Sequence, residues 1–177
     1  MSAGASVFPI LAVDVPLNKD LFLRTLIRHL SGAMEDIIGL KDASGYISVV
    51  GQMVGDQLNS EYKAALQVSE LSREQVSQIL VDLKRRIGGQ FYVIEESDER
   101  IVFGNSACPF GDKVIGRRSM CMMTSNVFGA IAAQNLGYAK VELVETIAQG
   151  DPRCKVIVYL KKSPESGARQ GREYFRT

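Results

Sequence analysis

Between Gln90 and Phe103 the chain reads QFYVIEESDERIVF, and here its hydrophobic period changes. Gln90 to Glu95 and Arg100 to Phe103 are rich in β-branched and aromatic residues and predict two strands. The polar residues Glu96 to Glu99 form the turn of that hairpin. Upstream, the period is helical. Ser72, Arg73, Glu74 and Gln75 match a capping box, Val76, Ile79, Leu80, Leu83 and Ile87 form one stripe, and Gly88-Gly89 stops the helix.

Further upstream, Leu23, Leu26, Ile27, Leu30, Met34 and Ile37 recur at three- and four-residue spacing, with Gly39 as a stop. A second helical pattern runs from about Ser44 to Ala65, with Ile47, Val50, Val54, Leu58 and Tyr62 on one side. Gly51 and Gly55 lie one turn apart on it and leave a flat strip for another backbone. Downstream of the hairpin, Ser106 to Arg118 reads as a loop. Ser119 is placed to cap a fourth helix from Met120 to Leu136, closed by Gly137. Tyr138 to Ile147 and Arg153 to Leu160 predict a second hairpin about a Gly-Asp-Pro turn at Gly150.

Three helices, a hairpin, a helix and a hairpin define an α+β fold. N-terminal helices would cover an antiparallel sheet of about four strands, with one helix between two hairpins. Residues 1–16 read as an N-terminal extension and 17–161 as one domain. Residues 162–177 are rich in Ser, Pro, Gly and Arg and read as a flexible polar tail, of which 163–177 are expected to be dispensable for folding.

Composition narrows the function. The 177 residues are 46% hydrophobic and 23% charged, which suits one domain with a real core. Twenty-one Lys and Arg balance 20 Asp and Glu, a net charge of +1, so there is no basic surplus for nucleic acid. Pro9 and Asp14 interrupt the apolar start, which therefore fails as a signal peptide, and no run is long enough for a membrane span. A cytoplasmic location is the expectation, with the three cysteines as free thiols or metal ligands.

Those cysteines sit at element boundaries. Cys108 lies in the loop with Phe110, Cys121 in the first turn of the fourth helix, and Cys154 at the start of the last strand. A helix N-terminus favours a thiolate, the form that metals bind. Zinc or an iron–sulfur cluster needs about four ligands, and Asp112, Glu142, Glu145 and Asp151 are nearby acidic candidates. Equally, each cysteine reads as a small buried hydrophobe. Met120, Met122 and Met123 surround Cys121 with soft apolar surface suited to a small-molecule pocket, a partner or plain core filling, with Phe110 and Phe128 beside them. His29 is the one histidine, and no nucleotide motif accompanies it, which counts against an enzyme.

The stretch CMMTSNVFGAIAAQNLGYAKVEL, from Cys121 to Leu143, followed by the turn from Gly150 to Cys154, resembles the 4-vinyl-reductase-type small-molecule-binding domains. The likeness is nearest to the branch called methanogen output domain. It extends upstream through Gly51, Gly55, the Ser72 helix start and Gly88-Gly89. The resemblance implies a fold shared more distantly with heme nitric-oxide sensors and Golgi transport-particle subunits, a sensory or regulatory role, and frequent dimerisation. Aromatic-sensing members hold zinc through three cysteines and a glutamate, and Cys121, Glu145 and Cys154 resemble three of those positions. The remaining family cysteine falls near Ala148, so Cys108 would have to replace it. Nothing around His29 resembles the axial site of the heme relatives, and heme is not expected.

The expectation is thus a sensory or regulatory module that binds a small ligand or metal, forms a homodimer through its helical half, and signals through a partner protein. Two alternatives stay open: an assembly scaffold with structural cysteines, and an accessory enzyme, metal-dependent or of pigment metabolism.

Overall fold

The computed structural model describes residues 14–176. Residues 1–13, most of the expected N-terminal extension, and Thr177 lie outside the described residues. Helix α1 (Lys19–Leu66) starts at Asn18, whose side chain accepts from Leu21 N at 2.8 Å. The expected stop at Gly39 is a break inside it, where φ and ψ leave the helical range. There the backbone takes φ 80, a value that glycine adopts at low cost, so α1 bends into two arms. Helix α2 (Arg73–Arg86) has the expected reciprocal cap, with Ser72 and Gln75 each bonded to the other's backbone.

Five strands follow in one antiparallel sheet: β1 (Phe91–Glu96), β2 (Arg100–Asn105), β3 (Tyr138–Glu145), β4 (Cys154–Tyr159) and β5 (Arg172–Phe175). Their order across the sheet is β1-β2-β4-β3-β5. Helix α3 (Cys121–Leu136) links β2 to β3, and a short helix α4 (Pro164–Ala168) precedes β5. The hairpins and the α+β class are as read. The expected flexible tail instead carries α4 and β5, paired to β3 with Ala139 opposite Tyr174. One residue explains the difference. Tyr174, 6% exposed, enters the main core against Gly129.

Layers follow from burial. α3 is buried on nearly all sides because it is sandwiched between the sheet and α1. Phe128 at its centre meets Phe91 and Phe103 edge-on, at 5.4 and 5.3 Å between ring centroids. α2 covers the β1 end of the same face.

α1 inverts the usual amphipathic rule. Its buried residues are small or polar: Ser31, Gly32, Ala43, Ser48, Gly51, Gly55 and Asn59. A Cβ at Gly51 would lie 2.8 Å from that of Asn126, and one at Gly55 2.9 Å from that of Ala130. The glycine strip does admit another backbone, but it is that of α3 in the same chain. Polar pairs flank the strip: Asn126 donates to Ser48 at 2.9 Å, and Asn135 to Asn59 at 2.7 Å. Much of the apolar stripe before the Gly39 break is therefore exposed, whereas Leu58 and Tyr62 pack against the main core. Phe22 is 55% exposed, Leu26 51% and Ile37 81%. Among the described residues, no helix is long and apolar enough to cross a membrane.

Candidate functional site

The three cysteines meet at one end of the sheet. Asn105 ends β2 opposite Cys154, which begins β4. Cys121 begins α3, and Cys108 comes from the loop between β2 and α3. That loop is anchored: Asn105 Oδ1 accepts from Gln90 N and Ala107 N at 3.1 and 3.2 Å. Pro109 packs so closely on Gly89 that a Cβ there would lie 3.0 Å from the proline ring. Together these residues line a cavity of about 30 Å³, with Thr124, Thr146 and Met120 also in its wall.

The chemistry of that cavity departs from the expected metal shell. Glu145 is not in its wall, and its carboxylate accepts from Arg153 Nε at 2.8 Å. That guanidinium holds the Glu145 carboxyl below its ordinary range. Among the described residues, no three of His, Cys, Asp and Glu are grouped so as to hold a metal ion. The residues therefore do not fit a three-cysteine, one-glutamate zinc site, and an iron–sulfur cluster lacks a fourth ligand in the same way.

Nor is Cys121 an activated thiolate. Burial first, then the neighbouring Cys154 and Cys108, pushes its pKa up to about 12. Burial also raises that of Cys108. The helix dipole offers little here, because the turn Arg118–Met120 precedes α3 and Cys121 N already bonds to Arg118 O. The expected cap fails for a related reason. Ser119 turns away and donates its hydroxyl and its N–H to Glu35 of α1. The Cys154 sulfur accepts from Asn105 Nδ2 at 3.7 Å and from Ile147 N at 3.5 Å.

Sequence reasoning missed Lys84. It lies four residues from Leu80 and eight from Val76, on the apolar stripe of α2, and that misplacement was a legible signal. Lys84 is 4% exposed. Its Nζ donates to Thr124 Oγ1 at 2.8 Å and sits 5.6 and 5.5 Å from the Phe91 and Phe128 ring centroids. Among the described residues it makes no ion pair. Burial lowers its pKa from 10.5 to about 8, against an opposing pull from the three cysteines. By linkage, the unfolded chain binds more protons than the folded one between about pH 8 and 10.5, so this group's contribution to stability rises across that window. Below pH 8 the charged amine is a standing penalty. Lys84→Met is accordingly expected to be more stable than wild type at pH 7, with the gap narrowing by pH 10. Paired thermal melts at the two pH values check this, and a gap that does not narrow would refute it.

A second cavity, of about 570 Å³, adjoins the first. Ile27, Leu30 and Met34 of one α1 arm and Tyr46, Ile47 and Val50 of the other wall it, with Phe110, Met120 and Met123 as its floor. Phe110 and Met120 also wall the cysteine cavity. Three of the five expected ligand-binding residues thus meet here. Met122 faces a different cavity, beside β3 and Arg172, and Phe128 is fully buried core. His29 is exposed on α1.

A bent helix over an antiparallel sheet, with α3 between them, is consistent with a sensor-type fold. The methanogen output domain 1 model matches residues 26–159, and the chain belongs to that family. No curated protein matches it in sequence. Among solved structures it is similar to a trafficking protein particle complex subunit 3 from Naegleria fowleri, covalently bound to palmitic acid. That match has a TM-score of 0.61 at 16% identity, over 80% of this chain and 96% of the other. It is also similar to the phenol-responsive sensory domain of the transcription activator PoxR with phenol. There the TM-score is 0.62 at 13% identity, over 88% of this chain and 81% of that one. Family and fold together agree with a sensory or regulatory module.

Proposed function

We propose that the chain senses an apolar small molecule in the cavity between the two arms of α1 and passes occupancy to a partner protein through that helix. One observation carries the reading: the wall is apolar and comes from both sides of the Gly39 bend. A ligand there touches both arms and so biases the angle between them. The solved neighbours support the ligand class, since palmitic acid and phenol each join an apolar body to one polar end. Burial of apolar area contributes roughly 25 cal/mol per Å², about 0.8 kcal/mol per CH2, so a molecule of eight to ten carbons gains roughly 6–8 kcal/mol before the cost of association.

Calorimetric titration with 1-octanol tests the reading. Binding is expected in wild type and at least about tenfold weaker in Ile47→Trp, which puts a larger ring into the cavity between the two arms. Absence of binding in wild type would leave the scaffold alternative, which needs no ligand.

The outward apolar stripe of α1 is the natural contact for a second copy, because exposed apolar patches of this extent mark interfaces. Sedimentation at micromolar concentration is expected to show a dimer, and Leu26→Glu a monomer. A monomeric wild type removes the dimer and leaves ligand binding intact.

A further inference from the structure

We propose that the cysteine cavity receives a carboxylate, the polar end of the apolar ligand inferred above, with Thr146 and Thr124 donating to it and Lys84 balancing its charge. The inference rests on that ligand reading, because Phe110 and Met120 form a wall common to both cavities.

The polar groups of the cavity are donors in search of an acceptor. Thr146 is 4% exposed, and its hydroxyl has no hydrogen-bond partner. The Cys121 thiol is near enough to feel that hydroxyl but does not meet hydrogen-bond geometry with it. A buried hydroxyl left unsatisfied costs stability, and native proteins keep few of them. Thr124 presents the same need in another form. Its oxygen accepts from Lys84, and among the described residues its own hydrogen is donated to no group. The amide of Asn105 and the N–H of Ile147 are already used on the Cys154 sulfur. No acidic side chain lines the cavity.

Lys84 is not in the cavity wall but reaches this donor set through Thr124, to which its Nζ donates at 2.8 Å. It is a buried cation with two aromatic faces and a hydroxyl around it but no carboxylate. Buried charges are ordinarily paired, because an unpaired one is costly to take out of water. A cation with donors on the cavity side and no internal anion is complementary to an anionic ligand. Size narrows the class. A water needs about 10–15 Å³ by the same measure, so about 30 Å³ takes the two oxygens of a carboxylate and excludes a larger tetrahedral anion.

The test is calorimetric titration of the whole chain with sodium octanoate and with 1-octanol, which share a body and differ at the head. Octanoate is expected to bind about tenfold or more tightly than octanol, the factor that a hydrogen bond to a charged group supplies. Lys84→Met should abolish that preference and leave octanol affinity unchanged. Thr146→Val, which exchanges a hydroxyl for a methyl, should reduce the preference and carries the test if the lysine variant does not fold. Equal affinity of wild type for the two probes overturns the carboxylate and leaves the apolar sensor standing. A preference that survives in both variants overturns the assignment of these residues. Failure of both probes to bind overturns the inference and the sensor reading together.

Discussion

Gly55→Val is expected to lower unfolding free energy by about 3 kcal/mol or more, at the upper end for overpacked interfaces. The reason is contact with backbone. A Cβ at Gly55 would lie 2.9 Å from Ala130 Cβ and 3.3 Å from Val127 Cα, and neither can swing aside as a long side chain could. Relief requires α1 to lift from α3, which would break the Asn126 to Ser48 and Asn135 to Asn59 bonds beside the strip. Each of those would leave buried polar atoms unpaired. Gly51→Val should behave alike, given its 2.8 Å approach to Asn126. Gly45 supplies the control, because nothing lies within 4 Å of its Cβ position. Gly45→Ala should stabilise by about 0.5–1 kcal/mol through helix propensity alone. Urea denaturation with an unchanged slope measures all three. A tolerated valine at position 55 would mean that the helices do not meet as described.

The sheet and the central helix were legible because period and composition agree there. The strands alternate or run apolar, turns separate them, and α3 is rich in small and apolar residues because both of its sides are covered. α1 was legible as helix but not as to direction. Its apolar stripe resembles any core-facing stripe, and only the tertiary fit of Gly51 and Gly55 to α3 shows that the small and polar face is the inner one. The convergence of Cys108, Cys121 and Cys154 was readable from their places at element boundaries. Their state was not, since burial outweighs a helix dipole that the preceding turn has already satisfied. The place of Lys84 on the apolar stripe of α2 was legible, but its lack of a counter-ion was not, because a balanced total charge does not say which lysines are paired. The tail was misread because composition averages over residues, and one inserted side chain can dock a polar segment.

That side chain makes the second large effect. Truncation after Lys161 is expected to lower the melting temperature by many degrees or to yield aggregates, and Tyr174→Ala alone to cost about 3–5 kcal/mol, as for other buried aromatics. The Tyr174 ring occupies the space above Gly129, where a Cβ would fall 2.1 Å from its carbons, so helix and ring are matched. Its hydroxyl lies 3.0 Å from Ser125 Oγ, and burial pushes its pKa up to about 12. The rest of the segment is bonded at several points. Lys140 Nζ donates to Ser166 O and Arg169 O at 2.6 and 2.7 Å, and Arg172 donates to Ser48 at 2.6 Å. Arg176 donates to Asn135 O at 2.7 Å. Deletion would therefore strand a buried lysine at position 140, open a cavity over Gly129 and expose the edge of β3 to pairing with other chains. Tyr174→Phe separates packing from polarity, since it keeps the ring and loses one hydrogen bond, a cost of about 1 kcal/mol. The order of stability should run wild type, Tyr174→Phe, Tyr174→Ala, truncation. A truncated chain that melts with wild type would show that β5 contributes nothing to the sheet.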